Sequence, residues 1–202
     1  MCIRDRIYRA HFAFIKNPRI NSKGLNTSAI FGFCNSLLEV TNKFDPSHIG
    51  VVFDPPGGSE REGVFADYKA NRQEMPEDIR KAIPHIFDLL KAMNIKVEME
   101  EGFEADDVIG TLAKQAEKKG FETYMMTPDK DFGQLVSDHI FIYKPGRSGN
   151  PSEILGPKEV CEKFEVKDPL QVIDILGLWG DAVDNIPGVP GVGEKTAKKL
   201  IS

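Results

Sequence analysis

HIGVVFDPPGG, residues 48 to 58, decides the class of fold. Ile49 to Phe53 form a continuous apolar and β-branched run, halted by Asp54 and a Pro-Pro-Gly-Gly turn. A strand without polar alternation is buried on both faces, the habit of parallel sheets covered by helices. An aspartate at the carboxyl end of such a strand stands where open α/β sheets bind ligands. A solvated loop aspartate is the alternative reading.

Working outward, IKVEME (95–100) reads as a short strand, and FETYMMTPDKD (121–131) as a strand plus a loop carrying Asp129 and Asp131. Between and around them lie helical patterns. One is capped by Thr27 or Ser28 and runs to Phe44 with Ile30, Phe31, Phe33, Cys34, Leu37, Leu38 and Val40 on a broad apolar face. A second starts at Pro76 and reaches about Met93, with Ile79, Ile83, Ile86, Phe87 and Leu90 at helical spacing. A third begins near Glu104, buries Val108, Ile109, Leu112, Ala113 and Ala116, and ends at Gly120. HIFIYKP (139–145) and the Asn150-Pro151 turn suggest a hairpin-like excursion, and EILGPKEVCEKF (153–164) a short helix with Pro157 near its first position. From Pro169 a helix carries LQVIDILGLWG, with Trp179 as a core anchor. The opening MCIRDR reads as neither strand nor helix cap and runs into the apolar IYRAHFAFI, where His11 suits a local hydrogen bond better than a ligand role. Alternating strands and helices predict an α/β fold with a mostly parallel central sheet flanked by helices over residues 1–168, followed by a helical subdomain over 169–202.

The chain of 202 residues is long enough for one domain with a proper core, and 41% hydrophobic with 28% charged residues is ordinary for a soluble globular protein. No apolar run approaches the roughly 18 residues of a membrane helix, and no signal peptide is visible, so a cytoplasmic protein with no membrane partner is expected. Cys2, Cys34 and Cys161 are odd in number and widely spaced, which supports neither a disulfide framework nor a zinc site; Cys34 and Cys161 are expected to be buried thiols. The net charge of -5 looks wrong for a nucleic-acid protein, but two bound divalent ions would cancel four of those charges.

The chemistry concentrates in two constellations. GFEADD (102–107) packs Glu104, Asp106 and Asp107 into four positions at a helix start, with Glu104 and Asp107 sharing a face. The helix macrodipole favours each by only roughly 0.3–1 kcal/mol, so a bound divalent cation explains such crowding better; an exposed acidic first turn remains the bland alternative. Repetition shifts the balance: Asp54, Asp129 with Asp131, and Asp181 with Asp184 also follow apolar runs. Hard cations such as Mg²⁺ and Mn²⁺ take oxygen ligands, no His or Cys competes, and no Ser-His or Cys-His pairing suggests a covalent nucleophile. In SEREGVFADYKANRQEMP (59–76), Lys69 and Arg72 are three apart, a shared face if the stretch is helical, with Tyr68 adjacent. A basic pair beside an aromatic suits a single-strand contact, and a solvated helix face equally. The second constellation is IPGVPGVGEKTA (186–197), where Gly188, Gly191 and Gly193 permit a tight hairpin that lets backbone N–H groups approach phosphate, while Lys195, Lys198 and Lys199 supply charge.

Taken together, VVFD, YKANR, GFEADDVIGTLA, TPDKDFGQL and GDAVDNIPGVPGVGEKTA resemble the 5′ nuclease domain of bacterial DNA polymerases of the first type, within the flap endonuclease superfamily. The resemblance runs from Tyr8 to the end of the chain in family order and spacing. It implies a PIN-like 5′ nuclease fold with a helix-hairpin-helix subdomain, two Mg²⁺ or Mn²⁺ ions, K⁺ at the hairpin, and hydrolysis of 5′ flaps and of nicked or branched duplex DNA by a metal-activated water. It further implies roles in replication, including primer processing, and in repair, for a monomer joined to a polymerase domain. Carried over by motif, Asp54, Glu104, Asp106, Asp107, Asp129, Asp131, Asp181 and Asp184 are metal residues. Lys69 and Arg72 are transition-state stabilisers, and with Tyr68 they form the gateway contacts; Arg9 meets the scissile phosphate region. Gly188, Gly191, Gly193, Lys195, Thr196 and Lys198 belong to the duplex clamp. Family members begin with a strand ending in a further metal aspartate, whose place here falls at Cys2 with Asp5 out of register. A missing first strand, a non-native start at residues 1–6 and a fragment of a longer protein are therefore expected. Two rivals stand beside this reading: a fold that holds branched DNA without cutting it, and an aspartate-based phosphatase built on the DxD of TYMMTPDKD.

Overall fold

Strand β1 (Gly50–Val52) sits between two hydrophobic cores and shows why its run is apolar throughout. Val51 and Phe53 point into a cluster with Ile7, Phe33, Leu37, Ile79, Ile86 and Leu90, while Val52 points the other way into a cluster with Ile109, Met125, Ile142, Phe164 and Ile175. Successive side chains of a strand face opposite sides, so burial on both demands the unbroken pattern. The structure, a computed structural model, describes residues 3–72, 74–146 and 151–202, with side chains from Ile7 onward. The Cys2 register and the Asn150-Pro151 turn predicted above fall on or next to residues outside that set.

Helices α1 (Ile3–Ala13) and α2 (Ser28–Phe44) pack together, and α4 (Glu77–Ala92) closes the first core with Ile79, Ala82, Ile86 and Leu90 on one stripe. After β1 come a short α3 (Glu60–Val64), then α4, then β2 (Lys96–Glu98), which pairs parallel with β1 in the register Val51–Val97. Helix α5 (Ala105–Lys118) packs against β1 and against β3 (Thr123–Met126) and lies in the second core through Ala105, Ile109 and Ala113. Strand β4 (Ile140–Lys144) pairs parallel with β3, and β5 (Glu153–Leu155) turns back antiparallel on β4. Helices α6 (Pro157–Phe164) and α7 (Val172–Trp179), the two-residue ribbon β6 (Gly180–Asp181) with β7 (Ile186–Pro187), and α8 (Glu194–Ile201) complete the chain. Val172, Ile175 and Ala197 share the second core with Ile109, so packing continues across residue 168.

The α/β class and the parallel pairings agree with the sequence, and several local expectations are corrected. Among the described residues β1–β2 and β3–β4–β5 are separate sheets rather than one. The opening segment is helical from Ile3, and the helix expected from Pro169 starts as a 3₁₀ turn over Pro169–Gln171. Cys34 and Cys161 are half-buried, and burial pushes both thiols up in pKa. His11 is buried, but its Nδ1 takes no hydrogen bond; the ring meets Phe12 edge-on at 5.3 Å instead.

Candidate active site

The N-terminus of α5 gathers the first acidic group. Its opening N–H groups lack intrahelical partners, and carboxylates answer them. Asp54, delivered by the end of β1, accepts from the Ala105 N–H at 2.9 Å, and Asp107 accepts from the Glu104 N–H at 3.0 Å. Asp106 lies half-buried in the same first turn. Glu104, only 13% exposed, is held on every side: by Lys69 Nζ at 2.6 Å, the Tyr68 hydroxyl at 3.0 Å, the Ser59 hydroxyl at 3.1 Å and Arg61 at 3.4 Å. Burial would raise its pKa, but Lys69, Tyr68 and Arg61 together hold it below the usual glutamate range. Arg61 grips Asp107 with both guanidinium arms at 2.6 Å and keeps that carboxyl low as well. Arg61 is a site residue that sequence reading missed.

Lys69 and Arg72 do meet the acids, but not from a shared helix face. Residues 66–71 are a run of turns in which Lys69 is left-handed, with φ +57°. Its N–H donates to the Asp184 carbonyl at 2.9 Å, Arg72 binds the Asp184 carboxylate, and the Lys69 ammonium lies 3.9 Å from that carboxylate. Tyr68 is 8% exposed, with its hydroxyl on Glu104; burial and the neighbouring charge push the phenol well above its ordinary pKa. It supports Glu104 and does not present a ring for base stacking. Beside the group opens a cavity of about 540 Å³, with Asp54, Lys69 and Glu104 on its polar edge and Tyr8, Phe53, Phe87 and Phe103 among its walls.

The second acidic group lies beyond β3. Asp131 N–H donates to Asp129 Oδ1 at 2.9 Å, while Lys130 reaches Asp181 at 2.5 Å and Asp131 at 3.4 Å, its ammonium 5.6 Å from the Trp179 ring centre. Asp131 Oδ1 is buried and takes no hydrogen bond. Burial, with Asp129 and Asp181 nearby, raises the pKa of Asp131 despite Lys130, whereas Lys130 and backbone N–H groups outweigh burial at Asp181 and lower it. The two groups join through the 181–184 turn. Among the described residues no three carboxylates are gathered closely enough to hold an ion as they stand; Arg61, Lys69, Arg72 and Lys130 pair with them instead. The donor set nevertheless fits a hard divalent cation: it is all oxygen, mutually repelling, and includes a buried oxygen, Asp131 Oδ1, that takes no hydrogen bond and has the Lys130 ammonium 3.4 Å away.

At the glycine-rich hairpin, β6 and β7 cross so tightly that a Cβ at Gly188 would lie 2.3 Å from the Trp179 carbonyl oxygen, so this glycine serves backbone packing. Gly191, with φ +81°, and Gly193, at the start of α8, have open space above them. Lys195, Thr196 and Lys199 are exposed, but Lys198 is turned inward, bonding the Lys163 carbonyl at 2.9 Å and pairing with Glu194 and Glu165 at 3.0 and 3.5 Å. Arg9, on α1, is close enough to Lys144 to help lower that lysine's pKa, after burial and Lys163.

An α/β domain whose strand ends collect carboxylates and cations, continued by a short helix-and-hairpin segment, defines the class. The family profile for the 5′-3′ exonuclease N-terminal, resolvase-like domain matches residues 4–165, and that for the 5′-3′ exonuclease C-terminal SAM fold matches 167–202. The chain belongs to the 5′-3′ exonuclease family. DNA polymerase I of Bacillus subtilis (strain 168) is 44% identical over 195 residues, covering 96% of this chain and 22% of that protein. The 5′-3′ exonuclease of Aquifex aeolicus (strain VF5) is 40% identical over 195 residues, covering 96% of this chain and 65% of that one. The chain thus spans about a fifth of the first relative's length and just under two thirds of the second's. The T5 5′-exonuclease, solved with divalent metal ions (zinc) bound, shares the fold at a TM-score of 0.80 and 19% identity, covering 98% of this chain and 72% of that one.

Proposed function

We propose that this chain is the 5′ nuclease part of a DNA polymerase, hydrolysing phosphodiesters at 5′ ends and flaps of DNA during replication and repair in the cytoplasm. The observation that carries the reading is the meeting of two carboxylate groups at the 181–184 turn with Lys69 and Arg72 between them, in a chain of the 5′-3′ exonuclease family. Asp54, Glu104, Asp106 and Asp107 on one side and Asp129, Asp131, Asp181 and Asp184 on the other would hold two Mg²⁺ or Mn²⁺ ions. Such ions, when bound, stabilise charge on the attacking and leaving oxygens of a phosphoryl displacement. Lys69 and Arg72, which stand between the two groups on Glu104 and Asp184, would offer their charge to the phosphate. Tyr68 and Ser59 keep Glu104 oriented meanwhile. Gly191, Gly193, Lys195 and Thr196 face outward for duplex backbone, and K⁺ at that hairpin belongs to the same proposal.

The test is cleavage of a 5′-labelled flap duplex by the protein in Mg²⁺, with Asp107→Ala as control and Ca²⁺ lanes for binding. Cutting that the substitution abolishes supports the reading; an intact protein that cuts no flap DNA defeats it. A second reading, a module that binds branched DNA without cutting, draws on the four basic side chains already neutralising the acids. Binding in Ca²⁺ without cutting in Mg²⁺ would favour it.

A further inference from the structure

We propose that Asn185 is the positioning residue that holds Lys69 and Arg72 against the acidic turn, a role that rests on the nuclease reading above. The segment bearing the two cations is short of regular structure, yet it sits in one place. Its own bonds are turn bonds, Ala70 N–H to the Asp67 carbonyl at 3.1 Å and Arg72 N–H to the Lys69 carbonyl at 2.9 Å. Those define a local shape but no location. Location comes from across the molecule, where Asn185 uses both ends of its amide: Nδ2 donates to the Asp67 carbonyl at 2.8 Å, and Oδ1 accepts from Asn71 Nδ2 at 3.3 Å. The Lys69 N–H to Asp184 carbonyl bond, at 2.9 Å, runs beside them.

Backbone conformation points the same way. Lys69 and Asn185 face each other across this seam, and both are left-handed, at φ +57° and +58°. Such conformations cost free energy outside glycine and persist where surrounding contacts over-determine them. Asparagine tolerates the conformation better than most side chains and is the right length for both bonds. Asn185 also stands on rigid ground, one residue before β7, in the ribbon locked by the Gly180–Gly188 backbone crossing. The hairpin of the clamp therefore sets where Lys69 and Arg72 stand relative to the acids.

Asn185→Gly keeps the left-handed backbone and removes both side-chain bonds; Asn185→Asp keeps the acceptor but loses the donor. The expected result with Asn185→Gly is turnover on flap DNA in Mg²⁺ reduced by up to about a hundredfold, the scale of a misplaced catalytic group, with duplex binding in Ca²⁺ unchanged. Amide exchange at Lys69 and Arg72 should accelerate while exchange in α4 and α5 does not. Arg72→Ala should cost less in the Asn185→Gly background than in the wild type, because the guanidinium is already adrift. Wild-type turnover and exchange in Asn185→Gly, or full additivity with Arg72→Ala, overturns the proposal. A wild-type protein that cuts nothing defeats the nuclease reading and takes the positioning role with it, an outcome distinct from a variant that matches an active wild type.

Discussion

At the scale of single residues, the local field rather than the side chain decides each ionisation, and Tyr124 offers a readout away from the acids. Its hydroxyl donates to the Glu122 carboxylate, and that bond, with some burial and the glutamate's charge, pushes the phenol up to about 12. A pKa raised in the folded state means stability that is whole below the ordinary tyrosine value of about 10 and is lost as pH rises through the folded value. Ultraviolet titration of the folded protein should therefore show one tyrosine ionising near 12, and Glu122→Gln should bring it back toward the ordinary value. A spectrum indifferent to that substitution would show that the bond does not form in solution. Tyr68, pushed up by burial and Glu104, should remain late in both proteins.

Among the elements, α4 runs unbroken through Pro84, which is exposed at mid-helix. Proline there removes one backbone bond, at a cost of up to about 3 kcal/mol, and the buried stripe Ile79, Ala82, Ile86 and Leu90 overrides it. Pro84→Ala should raise the unfolding midpoint in urea without changing its slope, a gain of about 1–3 kcal/mol; a loss would mean that the proline ring itself is needed for packing. Helix α8 carries a different test. Lys198 secures the last turn of α6 to α8, so Lys198→Met should lower stability by about 1 kcal/mol while leaving the salt dependence of DNA binding unchanged. Lys195→Met should do the reverse, shallowing the salt slope, and a slope that moves with Lys198 would return it to the duplex contacts. What could be read in advance follows the range of the forces involved. Strand β1, helix α5 and the hairpin glycines announce themselves because hydrophobic period and turn chemistry are local. The spacing of Lys69 and Arg72 permits a shared helix face, whereas the left-handed turn at Lys69 is tied to the 184–185 segment, with which Arg72 pairs 112 residues away in sequence. Arg61 was passed over because SEREG has no period, and its meaning lies in Asp107, 46 residues on. The acids were legible as a set; their division in two was not, because it depends on contacts distant in sequence, Arg61 binding Glu104 and Asp107 on one side and Lys130 binding Asp131 and Asp181 on the other.

For the molecule as a whole, 31 acidic against 26 basic residues leave a net charge of -5, and two divalent ions would cancel four of those five. The arrangement of the charges matters more than their sum. Arg61, Lys69, Arg72 and Lys130 already neutralise Glu104, Asp107, Asp184 and Asp181, so an arriving cation competes with ammonium and guanidinium groups for the same oxygens. Asp131 is held more loosely: its buried Oδ1 takes no hydrogen bond and lies 3.4 Å from the Lys130 ammonium, while burial and its acidic neighbours raise its pKa. A divalent ion there displaces an ammonium at 3.4 Å, a weaker hold than the pairs at 2.5–2.6 Å on Asp107, Glu104 and Asp181. Binding to the folded chain alone stabilises it by mass action, about 2.7 kcal/mol at a hundred times the dissociation constant. Mg²⁺ or Ca²⁺ should accordingly raise the melting temperature in a saturable way that Na⁺ at equal ionic strength does not reproduce. Asp131→Asn should abolish most of that rise, since it leaves the fold's contacts in place and removes the anion. A melting temperature indifferent to divalent ions, with the protein folded and Asp131 intact, would mean that the basic side chains keep the carboxylates for themselves, and the metal-dependent reading of this chain would fail.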